Sequence, residues 1–164
     1  MCATFLHTSP LFLHTHFNIL FVMAYKKNPK KKDALSIKRA VESLRFQIDW
    51  GLKLLGAEKG DLFHQLAKVE VDFISELNLT QDILAIKSLV DGVKQNLQIE
   101  PTPESGDFTH SVVALALGIA PISHLSNISL PESWRDQIEK KLLTIYYPEK
   151  LRNKVVDWAK ANGY

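Results

Sequence analysis

The chain has 164 residues, of which 46% are hydrophobic and 23% are charged. This length and composition suit one globular domain and exclude a disordered segment. The single cysteine excludes an internal disulfide framework and a cysteine-rich zinc site. The net charge of +2 is unevenly distributed, because residues 1–25 carry no Lys, Arg, Asp or Glu and the body from residue 33 has 15 basic and 18 acidic residues.

Residues 1–32 are predicted to be a flexible N-terminal extension to a helical domain at 33–164. A secretory signal requires basic residues before its apolar run, and no basic residue precedes the apolar run within residues 1–22. The cleanest apolar stretch, residues 19–25, is much shorter than the about 20 residues of a membrane span. We therefore expect no membrane association and a cytoplasmic protein, a short anchor held by the following lysines being the alternative. Residues 1–22 are hypothesised to be non-native, with Met23 as the natural start.

Apolar residues recur at helical spacing through most of the body. The first such stripe consists of Ile37, Val41, Leu44, Ile48, Leu52 and Leu55, and the second of Leu62, Leu66, Val69, Phe73 and Leu77. Steps of three and four residues place each stripe on one side of a helix. We predict an all-α, single-domain bundle of about six helices, at residues 33–56, 61–77, 81–97, 108–120, 131–146 and 149–162.

The segment from Val112 to Ala120 reads VVALALGIA and has almost no polar face. Its composition also suits a strand, but Ala and Leu are good helix formers and the neighbouring segments are helical. We predict a central buried helix that is capped by Asp107 or Thr109 and ended by Pro121.

Signatures of catalysis and metal binding are missing from the sequence. It contains no glycine-rich phosphate loop, no nucleophile elbow and no paired-histidine motif. Asp61 is interpreted as a helix cap, and the other acidic residues of the second helix are interpreted as a solvated face: Glu70, Asp72 and Glu76. We therefore predict a protein that is not an enzyme and that uses no metal and no cofactor.

Basic residues cluster before and within the first helix. The cluster comprises Lys26, Lys27, Lys30, Lys31, Lys32, Lys38, Arg39 and Arg45, and a secondary patch comprises Lys140, Lys141, Lys150, Arg152 and Lys154. Such residues can neutralise phosphates and give sequence-independent, salt-sensitive binding. These basic residues have no interleaved aromatic residues of the kind that stack bases, so we do not expect bases to be recognised. If both ends of the chain lie on one side of the bundle, the two groups would merge into one basic surface.

These features favour a non-enzymatic helical module that binds nucleic-acid backbone, of DNA or RNA, or that serves as a small subunit of a nucleoprotein complex. The acidic middle of the chain would then face a protein partner or another copy of the chain. The alternative is a protein–protein adaptor without a nucleic-acid role, whose lysine-rich segment is only solvated. Convergence of the two basic groups in space would discriminate between these hypotheses.

Overall fold

The computed structural model describes residues 34–57, 62–102, 110–120, 128 and 145–164. These residues form α1 (Ala34–Leu54), α2 (Leu62–Glu76), α3 (Thr80–Leu97), α4 (Val112–Ala116) and α5 (Arg152–Ala161), with a 3-10 turn at Glu149–Leu151. The described ranges contain no strand, which confirms the predicted all-α class. The described α-helices number five rather than the predicted six.

The predicted helix at 131–146 lies largely outside the described residues. Its last two positions, residues 145 and 146, are described and are not helical. The backbone N–H of Thr102 instead donates a hydrogen bond of 2.7 Å to the carbonyl oxygen of Tyr146. The segment that follows α3 therefore contacts the segment that precedes α5.

The first predicted stripe forms the centre of the main hydrophobic core. Leu44, Ile48 and Leu52 on α1 are almost completely buried, as predicted. Helix α1 packs against α2, α3 and α4, whereas the only described α-helix that α5 contacts is α3. A second, smaller core forms between α3 and α5, where Val93 and Ala159 are fully buried.

The predicted apolar stripe of α2 was wrong in part. Leu62 and Val69 are exposed, whereas Ala67, Val71 and Ile74 are buried together with Glu70. The helix is apolar on most sides, so hydrophobic spacing alone does not determine which face it buries. The face that is buried is the one that carries Glu70 towards the beginning of α4.

The apolar segment is buried as predicted, but its helix is shorter than 108–120. Ser111 has an extended backbone, and its hydroxyl oxygen accepts a hydrogen bond of 2.8 Å from the N–H of Ala114, so Ser111 is the N-cap. The helix ends at Ala116, and two residues later the chain turns away at Gly118, whose φ of +69° is readily adopted by glycine. The cap is thus Ser111 and the stop is Gly118; Asp107, Thr109 and Pro121 lie outside the described residues.

Glycines allow two close approaches between helices. A Cβ atom at Gly51 of α1 would overlap the carbonyl oxygen of Ala116 in α4. A Cβ atom at Gly92 of α3 would overlap the ring of Trp158 in α5. These glycines therefore let α4 and α5 reach their positions against the longer helices.

Candidate functional site

The structure describes six of the basic residues that were singled out in the sequence. Lys38, Arg39 and Arg45 lie on the exposed side of α1, and Lys150, Arg152 and Lys154 are exposed at the beginning of α5. The remaining basic residues lie outside the described ranges: Lys26, Lys27, Lys30, Lys31, Lys32, Lys140 and Lys141.

Lys38 and Arg39 lie near the beginning of α3, whereas Lys150, Arg152 and Lys154 lie near its end. The side chain of Gln81, at the beginning of α3, donates a hydrogen bond of 3.5 Å to the hydroxyl oxygen of Ser36, which is close to Lys38. The hydrogen bond between Thr102 and Tyr146 places the chain before Lys150 beyond the end of α3. With a rise of about 1.5 Å per residue, α3 separates the groups by roughly 25 Å. The described residues of the two groups therefore do not form one surface. The other seven basic residues lie outside the described ranges, so convergence of the complete groups stays a prediction.

Two of the basic side chains of α1 pair with carboxylates. A guanidinium nitrogen of Arg45 lies 2.8 Å from a carboxylate oxygen of Asp72 on α2, and Lys38 lies 3.9 Å from Glu42 one turn further along α1. All four side chains are about half exposed or more. Such surface pairs contribute little to stability and exchange readily with other partners. Phosphate could therefore compete with these carboxylates.

Aromatic and aliphatic side chains project from the same exposed side of α1. Phe46, Trp50 and Leu54 are 71%, 55% and 72% exposed, and their spacing of four residues places them in one row. The ammonium group of Lys53 lies 5.9 Å from the centroid of the Trp50 ring, within the range of a cation–π contact. Arg39 is seven residues before Phe46 and so lies on the same side. We call these five residues the α1 outer face.

The sequence reasoning missed the aromatic part of this face. The sequence analysis predicted no aromatic interleaving among the basic residues and assigned the apolar residues of α1 to one buried stripe, although Phe46 and Trp50 lie between Arg45 and Lys53. A second apolar series at 46, 50 and 54 was present in the sequence, offset from the first. A helix with two apolar series can bury one against the bundle while the other stays exposed.

A polar groove lies beside the outer face, between α1, α3 and α5. Its volume is about 440 Å³, and side-chain amides line much of it, including those of Gln47, Asn96 and Asn162. The amide nitrogens of Asn96 and Asn162 each donate a hydrogen bond of 2.8 Å to a backbone carbonyl of their own helix. Their amide oxygens remain as acceptors, so the groove suits a ligand that carries hydrogen-bond donors.

A second cavity, of about 430 Å³, is predominantly apolar. It lies where the end of α1 meets the residues that follow α4, and it is lined in part by Leu55, Leu115 and Ile119. Lys94 and Glu100, which form an ion pair of 2.6 Å, also line it. This cavity contains no residue of the predicted basic site.

Glu70 is the described acidic residue that departs most from its predicted environment. It is fully buried rather than part of a solvated face. Its two carboxylate oxygens accept hydrogen bonds from the N–H groups of Val112 and Val113, at 3.1 and 2.8 Å. Burial raises the pKa of the Glu70 carboxyl to about 7, and the hydrogen bonds from Val113, Val112 and Ser111 oppose that rise. The geometry makes Glu70 a cap for α4.

Two further properties of the described residues bear on function. No three His, Cys, Asp or Glu side chains in these ranges cluster closely enough to hold a metal ion. None of the described helices is both long and apolar enough to cross a lipid bilayer.

Comparison with models of known families and with curated proteins finds no match to this chain.

Proposed function

We propose that this chain is a non-enzymatic helical module that binds nucleic-acid backbone through its phosphates, independently of sequence, or assembles along it as a small subunit of a nucleoprotein complex. The observation that carries the proposal is the exposed basic side of α1. Lys38, Arg39 and Lys53 are all exposed there, and in the sequence the lysine-rich segment 26–32 directly precedes this helix.

The charge balance of α1 supports this choice of ligand. The helix carries four basic residues and two acidic ones, although the body from residue 33 has a net charge of −3. A local cationic surface on an otherwise acidic body attracts a polyanion, and α5 has the same net charge of +2 as α1. Binding of this kind releases counterions, so it should weaken steeply as salt concentration rises.

A salt titration tests the proposal. Fluorescence anisotropy with the full chain should show binding of labelled DNA or RNA at low salt. The log–log slope should be about −0.7 to −0.9 for each phosphate neutralised. The triple variant Lys30→Ala, Lys31→Ala, Lys32→Ala and the single variant Arg39→Ala should each bind all sequences more weakly and flatten the slope.

The control for this titration is the variant Lys150→Ala, Arg152→Ala, which removes two exposed charges near the far end of α3. This variant should bind almost as the parent does. If the control weakens binding as much as the α1 variants, the site lies near α5 instead. If nothing binds at low salt, the nucleic-acid function is wrong.

A protein–protein adaptor is the second candidate, and a specific observation favours it. Phe46, Trp50 and Leu54 form a contiguous apolar row in solvent, and such rows often mark sites of protein association. Their replacement by Ser would abolish capture of a protein partner but would leave salt-dependent binding of duplex DNA in place. The two functions therefore respond to different substitutions.

A further inference from the structure

The α1 outer face presents charges and rings in a definite order. Along the helix it reads Arg39, Phe46, Trp50 and Lys53, that is, a cation, two aromatic rings and a second cation. All of these residues are exposed. From this order we infer that the ligand is a single-stranded nucleic acid whose bases stack on Phe46 and Trp50, with phosphates at Arg39 and Lys53. This inference rests on the proposed function and narrows its ligand to one class.

The spacing of the two rings fits separated bases. Four residues of α-helix correspond to a rise of about 6 Å between Phe46 and Trp50. This distance exceeds the about 3.4 Å per nucleotide of one strand in B-form DNA. A single strand can stretch so that successive bases leave each other and stack on protein rings, whereas a duplex cannot do so without unpairing. The spacing therefore favours a stretched single strand.

The exposure of the rings also favours a single strand over a duplex. Aromatic side chains in single-strand binding proteins act by offering a face to a base, and every base has such a face. In a duplex, both faces of an internal base are covered by neighbouring base pairs. Phe46 and Trp50 would then have nothing to stack on, and only the cations of α1 would contribute.

The cations at the two ends of the row argue against a purely apolar protein partner. The ammonium group of Lys53 lies over the Trp50 ring, 5.9 Å from its centroid, so a base would stack on the other face of that ring while Lys53 binds a neighbouring phosphate. Arg39 lies 14 positions before Lys53, which is about 21 Å along the helix. At about 6 Å per stretched nucleotide, this length accommodates roughly three to four nucleotides, close to the lower end of known single-strand sites.

The test uses the full chain with a fluorescent 12-nucleotide oligo-dT and a duplex of the same length. Phe46→Leu and Trp50→Leu keep apolar bulk and helix propensity but remove the flat ring. Each should weaken oligo-dT binding by about 5- to 100-fold, the range that one base–aromatic stack supplies. Binding to the duplex should change less than twofold. Oligo-dT should quench tryptophan fluorescence in the parent protein, and Trp50→Leu should lose most of that quenching.

The control variant is Leu62→Ala, which also replaces one exposed apolar side chain by a smaller one. Leu62 is 64% exposed on α2 and lies outside the α1 outer face. This variant should bind oligo-dT as the parent does. Circular dichroism and the thermal midpoint of each variant should match the parent, because the replaced side chains are exposed.

Three results would overturn the inference, and they are distinguishable. Equal binding of both probes with no effect of the leucine variants would leave phosphate binding intact and refute base stacking. Binding that survives in the leucine variants but is lost in Phe46→Ala and Trp50→Ala would indicate a general apolar contact. Failure of both probes to bind at low salt would refute the proposed function, and the inference with it.

Discussion

The carboxylate of Glu70 accepts a hydrogen bond of 2.8 Å from the backbone N–H of Val113, across 43 positions of sequence. Its other oxygen accepts from Val112, and the hydroxyl oxygen of Ser111 accepts from Ala114. The first three N–H groups of α4 are thereby satisfied in a fully buried place, where water cannot replace these acceptors. Helix α2 therefore fixes both the position and the beginning of α4.

Replacing Glu70 by Ala should lower the free energy of unfolding by roughly 2–4 kcal/mol. The change leaves two buried N–H groups without acceptors, and each such loss costs about 1–3 kcal/mol, partly offset because a carboxylate no longer has to be buried. Urea unfolding followed by circular dichroism measures the difference. Glu76→Ala, an exposed change on the same helix, is the control and should stay within about 0.5 kcal/mol of the parent. A loss of the same small size at residue 70 would refute the cap.

The pH dependence of stability should carry the signature of Glu70. Burial raises the pKa of this carboxyl from 4.5 to about 7 in the folded protein. Between these values the folded state holds a proton that the unfolded state has released, so stability falls as pH rises. Relative to Glu70→Gln, which cannot titrate, the parent should lose roughly 3 kcal/mol from pH 4.5 to 7 and little beyond.

Unfolding free energies of both proteins at several pH values provide the measurement for Glu70. Subtracting one series from the other removes the contributions of all other titrating groups. A difference that stays constant, or that grows in favour of the parent as pH rises, would show that burial does not dominate the pKa of Glu70.

The contrast between α1 and α2 shows what the sequence could predict. Leu44, Ile48 and Leu52 form one clean stripe that faces the bundle, and hydrophobic spacing identified it correctly. In α2, apolar residues occur on most sides, and the face was decided by Glu70, which needs the N–H groups of α4. That requirement comes from a segment about 40 residues away, so no local pattern contains it. The available signal in the sequence was Glu70 itself, a charged residue that lies four positions after Leu66 and therefore on the same side of the helix.

The outer face of α1 was predictable in principle, but its role was not. Phe46 and Trp50 stand four residues apart on the first helix, beside the basic residues Arg45 and Lys53. Whether such a series is exposed depends on which elements pack against the helix. Here α2, α3 and α4 cover the opposite side of α1, and Phe46 and Trp50 remain in solvent.

Tyr147→Phe should leave stability unchanged or raise it by about 1 kcal/mol. The Tyr147 hydroxyl is buried and finds no hydrogen-bond partner among the described residues. Burial and the negative charge of Glu100 raise the pKa of Tyr147, so the hydroxyl stays protonated. Removing an unpartnered polar group removes its desolvation cost. Thermal unfolding measures the effect.

The matched control for that change is Tyr164→Phe. The hydroxyl of Tyr164 lies 2.6 Å from that of Ser88, so this substitution removes a hydrogen bond and should lower stability by about 0.5–1.5 kcal/mol. Tyr164→Phe should thus lower stability, whereas Tyr147→Phe should not. A clear loss of stability at residue 147 would show that its hydroxyl has a partner in the folded protein.

Asp72→Asn should strengthen nucleic-acid binding more than the loss of one negative charge explains. Asp72 pairs with Arg45 at 2.8 Å, so the variant frees a guanidinium on the basic side of α1. One additional phosphate contact would steepen the log–log salt slope by about 0.7–0.9.

Glu76→Gln removes the same charge one turn further along α2 and is the control for Asp72→Asn. Adding Arg45→Ala to Asp72→Asn should return the slope to its original value, because the freed group is gone. Equal effects of the substitutions at residues 72 and 76 would mean that only net charge changed, and Arg45 would then have no place in the phosphate site.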